Sequence, residues 1–298
     1  GKASDWAPGT HRRNAGIVRT HLDPALGRHR LDKLSPMHVK AMLDAKLADG
    51  LSPKTVQLIR GLLVSALRQA EEWGLVGRNV ARLVPGPRMR RREVEPLSGQ
   101  ESAKLLEHVQ GQEHETLFTL AISLGMRQGE ILGLRWKDVD LDEATLGVRR
   151  TLHKVDGRYE LRDPKTEKSR RSLLIPPFVL ASIKHHRVEQ LERRMRAGGD
   201  ENEWDLVFTD HAGQPLHGPT VTRRLQALMK RHEMRRIRFH DLRHSCASLL
   251  LAQGVPLTSI QEVLGHANFY ITRDTYSHIG VELKREAADA MQKALGGS

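Results

Sequence analysis

The 298-residue chain is 39% apolar and carries a formal charge of +12, totals that suit a globular protein of two domains with a polyanionic partner. No apolar run approaches the roughly 20 residues of a membrane span, and no secretory segment opens the chain. A single cysteine, Cys246, excludes an internal disulfide framework and fits a reducing, cytoplasmic setting.

The charge is concentrated. Residues 1–93 hold 18 Lys and Arg against 8 Asp and Glu, so this third of the chain supplies most of the surplus. Such a surplus reads either as a surface for nucleic acid or as a solvated basic face. The same residues, over 1–84, read as all-helical. Ser35-Pro36 and Ser52-Pro53 each put an N-cap before a proline at the first helical position, and Gly50 and Gly74 stand where C-terminal caps belong. From Pro53 to about Glu72, Val56, Ile59, Leu63, Ala66, Leu67 and Ala70 fall on one side at 3.6 periodicity. The opposite side carries Lys54, Gln57, Gly61, Ser65 and Arg68. Small residues between donors let a helix approach a groove, so Lys54, Gln57 and Arg68 are candidate DNA contacts; the other reading is a solvated helix face.

Residues 85–97 read as a basic interdomain linker. PGPRMRRREVEP breaks helix, and Arg88, Arg90, Arg91 and Arg92 could track phosphates. Ser98 with Glu101 forms a capping box that opens a second domain, 98–298. There the pattern predicts helices over Glu113–Leu124, ending at Gly125, and Gln128–Leu134. Strands follow at Thr145–Leu152, Arg158–Leu161 and Ser172–Ile175, the last two joined by a polar turn carrying Lys165. Helices then return at Phe178–Ala197, Pro219–Glu233, His240–Gln253, Leu257–Leu264, Thr272–Ile279 and Val281–Leu295. The fold class is mostly α with a small antiparallel β-sheet.

The chemistry gathers between His240 and Tyr276. On the helix opening at His240, His240, Arg243 and His244 fall on one face, since i, i+3 and i+4 are neighbours. Arginine's planar, permanent donors suit phosphate oxygens. HDLRH also has His-x-x-x-His spacing, like a zinc helix. Against a metal stand Asp in place of Glu at the second position and an arginine beside both imidazoles. A solvated pair is the plain alternative. Cutting DNA without metal needs a nucleophile, cations on the non-bridging oxygens and an acid for the leaving 5′-oxygen. A tyrosine serves as nucleophile if its neighbours withdraw its proton.

Arg127-Gln128-Gly129-Glu130, Pro164-Lys165-Thr166, the HDLRHS box, Leu264-Gly265-His266 and the T-x-x-x-Y-S-H box at 272–278 stand in an order that resembles the tyrosine recombinases, phage-type integrases in particular. The boxes span residues 120–280; the basic helical domain and linker match the family's core-binding domain more loosely. The resemblance implies that Arg127 and Arg243 clamp the scissile phosphate and that Glu130 buttresses Arg127. Lys165 on its hairpin turn protonates the leaving oxygen, His240 and His266 bind the phosphate and manage a proton, and Tyr276 becomes a 3′-phosphotyrosine. It implies no cofactor and no metal. It also implies double-stranded DNA as partner, a clamp around the duplex, a tetramer on DNA, a directionality factor, and a site of action at the bacterial or phage-infected nucleoid.

Tyr159 and Tyr270 lie outside any nucleophile box, and Cys246 reads as a small buried side chain behind the site. The C-terminal stripe Val281, Leu283, Ala287, Ala288, Met291 and Leu295 would dock either on a neighbouring protomer or on its own domain. The chain opens on Gly1 without Met, and it has no room for the small arm-binding domain of many relatives, which fits a fragment. Met126 in LGMRQGEI replaces a commoner leucine at equal volume. Two rival functions use the same residues: a type IB topoisomerase-like relaxing enzyme, and a DNA-binding accessory protein without catalysis.

Overall fold

A computed structural model of the chain describes residues 6, 8–89, 95–164, 169–196, 198 and 203–265. It divides into two compact units, 1–93 and 94–298. Lys165, His266, Tyr276, Arg90, Arg91, Arg92 and the two helices predicted beyond residue 265 lie outside the described residues.

Every regular element among the described residues of the first unit is helical. Helix α1 (Pro8–Ile17) runs through a π-helical turn into α2 (Asp23–Leu26), followed by α3 (Pro36–Ala48) and α4 (Pro53–Glu72). The two serine caps form as the sequence leads one to expect: Ser35 Oγ accepts from His38 N–H and Ser52 Oγ from Thr55 N–H. Gly50 and Gly74 take positive φ just past α3 and α4. Val56, Ile59, Leu63, Leu67 and Ala70 bury one stripe of α4 against Val39, Met42 and Leu43 of α3. Ala66 departs from the expected stripe and is exposed: at 3.6 periodicity it lies at the stripe's edge.

Near the start of the second unit Leu97 is buried, and its N–H donates to Ser245 Oγ across the domain. The capping box at Ser98 and Glu101 opens α5 (Gly99–Val109), then come α6 (Glu115–Ser123) and the short α7 (Gln128–Leu132). Two antiparallel sheets follow. One orders β1 (Val139–Asp140), β2 (Thr145–Val148) and β5 (Arg171–Leu174); the other is the hairpin of β3 (Thr151–Val155) and β4 (Arg158–Arg162). Helices α8 (Pro177–Arg196), α9 (Gly218–Arg231), α10 (Phe239–Ala252) and α11 (Leu257–Leu264) complete the described unit.

The β region corrects the sequence reading twice. The expected strand Thr145–Leu152 is two strands, divided at 149–150, and they serve different sheets. Arg158–Leu161 and Ser172–Ile175 do not pair with each other either. β4 returns on β3 through Asp156-Gly157, both at positive φ, whereas β5 pairs with β2. The strands on either side of the stretch that contains Lys165 thus belong to different sheets.

Candidate active site

The site is assembled around a reversal of the chain at Gly125. This glycine has φ +59°, a conformation that costs an L-residue roughly 1–2 kcal/mol. A methyl group there would meet Leu264 and would lie 3.2 Å from Cys246 Sγ. The turn frees the Gly125 carbonyl to face inward and leaves Arg127 at the N-cap of α7. Glu130, one turn on, closes a box with it: the Arg127 N–H donates to Glu130 Oε2 at 3.0 Å and Arg127 Nη1 to Glu130 Oε1 at 2.5 Å. The Arg127 side chain stays about one-third exposed, while Glu130 is buried. Glu130 therefore braces Arg127.

Arg243 enters from α10. It does not stay on the imidazole face but turns inward, and at 1% exposure it ranks among the most buried side chains of the unit. Its Nη1 donates to the Gly125 carbonyl at 2.8 Å and its Nη2 to the Leu264 carbonyl. Arg127 Nη2 donates to the next carbonyl, Gly265, at 3.3 Å. A third arginine, Arg171 at the start of β5, donates through Nε to the carbonyl of Val263 at 2.6 Å and through Nη2 to Glu130 Oε2 at 3.0 Å. Three guanidiniums thus converge on three successive carbonyls at the C-terminal end of α11. That end carries orphan carbonyls and the negative pole of the helix, and Gly265 closes it at φ +64°.

One carboxylate serves three cations. Burial would raise the Glu130 carboxyl, but Arg171 and then Arg127 hold it below the usual range. Burial, reinforced by Arg127, lowers Arg243 to about 9. It stays charged at neutral pH, and the surplus of positive charge favours an added anion. His240 lies at the rim of the same cluster. Desolvation by the surrounding protein, then His244, Arg243 and Arg127, push its pKa down to about 4, although its outer edge faces solvent. It is a neutral imidazole at pH 7, with one N–H to donate.

His240 and His244 do lie together, their ring centroids 5.1 Å apart at 88°. Asp241, the acidic residue between them, is spent on the helix start, accepting from Arg238 N–H at 2.8 Å and from Arg238 Nη2 at 2.7 Å. Among the described residues no three His, Cys, Asp or Glu are arranged to hold a metal ion.

The matching family model, the Phage integrase family, covers residues 93–282. The chain belongs to this family. It is a tyrosine recombinase, an enzyme that cuts and rejoins DNA. It is 27% identical over 303 residues to a XerC-like tyrosine recombinase of Caldanaerobacter subterraneus, covering 95% of this chain and 78% of that protein. It is 30% identical over 273 residues to an integrase of Streptomyces ambofaciens, covering 87% and 69%. In fold it is similar to the Tn1549 transposon integrase solved in complex with transposon right-end DNA: TM-score 0.81, 20% identity, 98% of this chain and 95% of that one.

Of the recombinase's expected catalytic residues, Arg127, His240 and Arg243 meet at one place, and Lys165, His266 and Tyr276 lie outside the described residues. The expected DNA contacts fare unevenly. Lys54 and Arg88 are exposed. Arg68 lies 3.6 Å from Glu72 in an ion pair. Gln57 is half-buried, with the end of its side chain against Gly86. Arg171 was missed, although Leu173 and Ile175 are inward residues at a period of two, and the same alternation turns Arg171 inward.

Proposed function

We propose that this recombinase acts at a specific core site of a mobile element and cuts each strand through a covalent 3′-phosphotyrosine on Tyr276. Arg127 and Arg243 hold the non-bridging oxygens of the scissile phosphate, and the neutral His240 donates a hydrogen bond to one of them. The Tyr276 phenol oxygen forms a bond to phosphorus as the bond to the 5′-oxygen breaks. Lys165 gives the leaving oxygen its proton, and His266 receives the proton of the phenol. In the second step a 5′-hydroxyl attacks the phosphotyrosine, the phenol leaves with a proton, and a phosphodiester is restored. One ester replaces another at each step, so the energy of the bond is kept and no nucleotide is consumed.

The observation that carries this reading is the meeting of Arg127 and Arg243 at the end of α11, immediately before the His266 box, with a surplus of positive charge. A phosphorane passing through a trigonal bipyramid develops negative charge on its equatorial oxygens, and fixed guanidiniums stabilise it there. Residues 1–84 act as the core-binding domain, and residues 85–97, with Arg88 to Arg92, as the phosphate-tracking link to a catalytic domain over 98–298. Strand exchange joins two duplexes, which calls for a tetramer on DNA and leaves direction to an accessory factor. The place of action is the bacterial or phage-infected nucleoid. The similarity to a transposon integrase and to a bacterial integrase supports the mobile-element reading.

The test is a nicked duplex that traps covalent adducts. Tyr276→Phe should abolish the adduct and keep duplex affinity within about twofold of the parent. An adduct that survives the substitution removes Tyr276 from the mechanism. Relaxation of a plasmid without any core site would instead favour the topoisomerase-like reading.

A further inference from the structure

The third arginine at the end of α11 has no part in the roles assigned so far. Arg171 is nearly buried, its side chain 7% exposed. It donates to Glu130 Oε2, to the Val263 carbonyl and, through Nη1 at 3.3 Å, to the Ser169 carbonyl. Its backbone is fixed by pairing with Val148 of β2. We propose that Arg171 is the positioning residue of the phosphate clamp: by occupying Glu130 and Val263 together it sets where Arg127 stands against the end of α11. The proposal rests on the reading of Arg127 as a phosphate ligand.

Two physical arguments support it. Glu130 has two carboxylate oxygens: Arg171 Nη2 and the Arg127 N–H share Oε2, while Arg127 Nη1 takes Oε1. A buried carboxylate without Arg171 would draw the Arg127 guanidinium into a two-toothed pair, the geometry arginine favours. Donors aimed outward would then be turned back into the protein. The second argument concerns α11. Its last carbonyls are orphans that need partners. A phosphate bound between Arg127 and Arg243 competes for donors now given to Leu264 and Gly265, whereas Arg171 keeps Val263. The helix end retains one charged anchor through the reaction. Lysine cannot replace it, because a single ammonium on a flexible stem does not span a carboxylate and two carbonyls in fixed geometry.

The experiment uses the full chain and single-turnover cleavage of a nicked duplex. The scissile group is either an ordinary phosphate or a methylphosphonate, in which a methyl group replaces one non-bridging oxygen and removes the charge. Arg171→Met and Arg171→Lys should bind duplex within about twofold of the parent, since neither touches DNA. Both should cut the phosphate on the order of 10- to 100-fold more slowly, the scale of a reacting group misplaced by about 1 Å. The loss should shrink on the methylphosphonate, where less charge needs clamping. In an Arg127→Ala background, adding Arg171→Met should cost far less than it does alone.

Equal losses on both substrates, a fully additive double variant, an unchanged rate, or failure of both variants to fold would each overturn the proposal and make Arg171 a framework residue. If the methylphosphonate resists the parent itself, the double variant decides alone. Arg127→Ala cutting at the parental rate would sink the phosphate-ligand reading instead, so the two failures are distinguishable.

Discussion

At the scale of single residues, the site is a problem of charge placed before its counter-ion arrives. His240 shows the consequence most directly. Its pKa stands near 4, below the ordinary 6.5, through desolvation and three cationic or titrating neighbours. A scissile phosphate at the clamp would bring a negative charge to the same place and raise that pKa. A group whose pKa rises on binding takes up a proton with the ligand, so affinity grows as pH falls toward the free-state value. Between about pH 7 and pH 5, core-site affinity should therefore rise more steeply for the parent than for His240→Gln, measured as Kd against pH at constant salt. Parallel slopes would separate His240 from the phosphate.

How far the sequence makes such residues legible depends on what each leaves in the pattern. His240 and Arg243 stand in a compact box whose chemistry draws attention to them, whereas Arg127 is legible only through the resemblance carried by its Arg-Gln-Gly-Glu box. Arg171 stands in SRRSLLIP, where a run of arginines after a polar turn looks like solvated surface. Only the alternation of β5, followed one residue further upstream, turns it inward. The inward rotation of Arg243 was hidden for a different reason. Helical periodicity puts it beside His240 and His244, and only the packing of α10 on α6 and α11 decides which flank is buried.

At the scale of elements, turns and caps carried the reading well, and strand pairing did not. The serine caps of α3, α4 and α5 are local, each settled within four residues. Pairing is not local. Arg158–Arg162 could have met β5 or β3, and what decides is Asp156-Gly157, a two-residue turn whose positive φ values suit the twist of a tight hairpin.

Gly125 is the turn on which the site depends most. It joins α6 to Arg127, holds φ +59°, and leaves its carbonyl to Arg243. Gly125→Ala adds the cost of a left-handed residue to that of crowding Leu264 and Cys246, together about 2–4 kcal/mol. Denaturant unfolding should show the second unit losing that stability, with Cys246, now buried and raised to about 12, gaining reactivity toward a thiol reagent. A loss below about 0.5 kcal/mol would mean that the α6–α7 turn and its neighbours yield easily, and the rigid-turn account would fail.

At the scale of the whole molecule, the distribution of charge separates affinity from chemistry. Residues 1–93 carry 18 basic against 8 acidic side chains, a field that suits a duplex whatever its sequence. The second unit is nearly balanced in total, with 30 basic against 28 acidic side chains, and the three arginines of its clamp are largely occupied by a carboxylate and carbonyls. Counter-ion release should then be governed mainly by the first third of the chain. Lys54 and Arg88 are the most exposed candidates there, since Gln57 and Arg68 are half-buried and Arg68 is paired with Glu72. Replacing both by Gln should lower the slope of log K against log salt by about 2, roughly one for each phosphate that is no longer neutralised. The single-turnover cleavage rate at saturating duplex should stay within about twofold, because neither residue belongs to the clamp. An unchanged salt slope would move the DNA-facing surface of the first unit elsewhere. A cleavage rate that fell along with affinity would mean that binding by the first unit and chemistry in the second are coupled rather than divided.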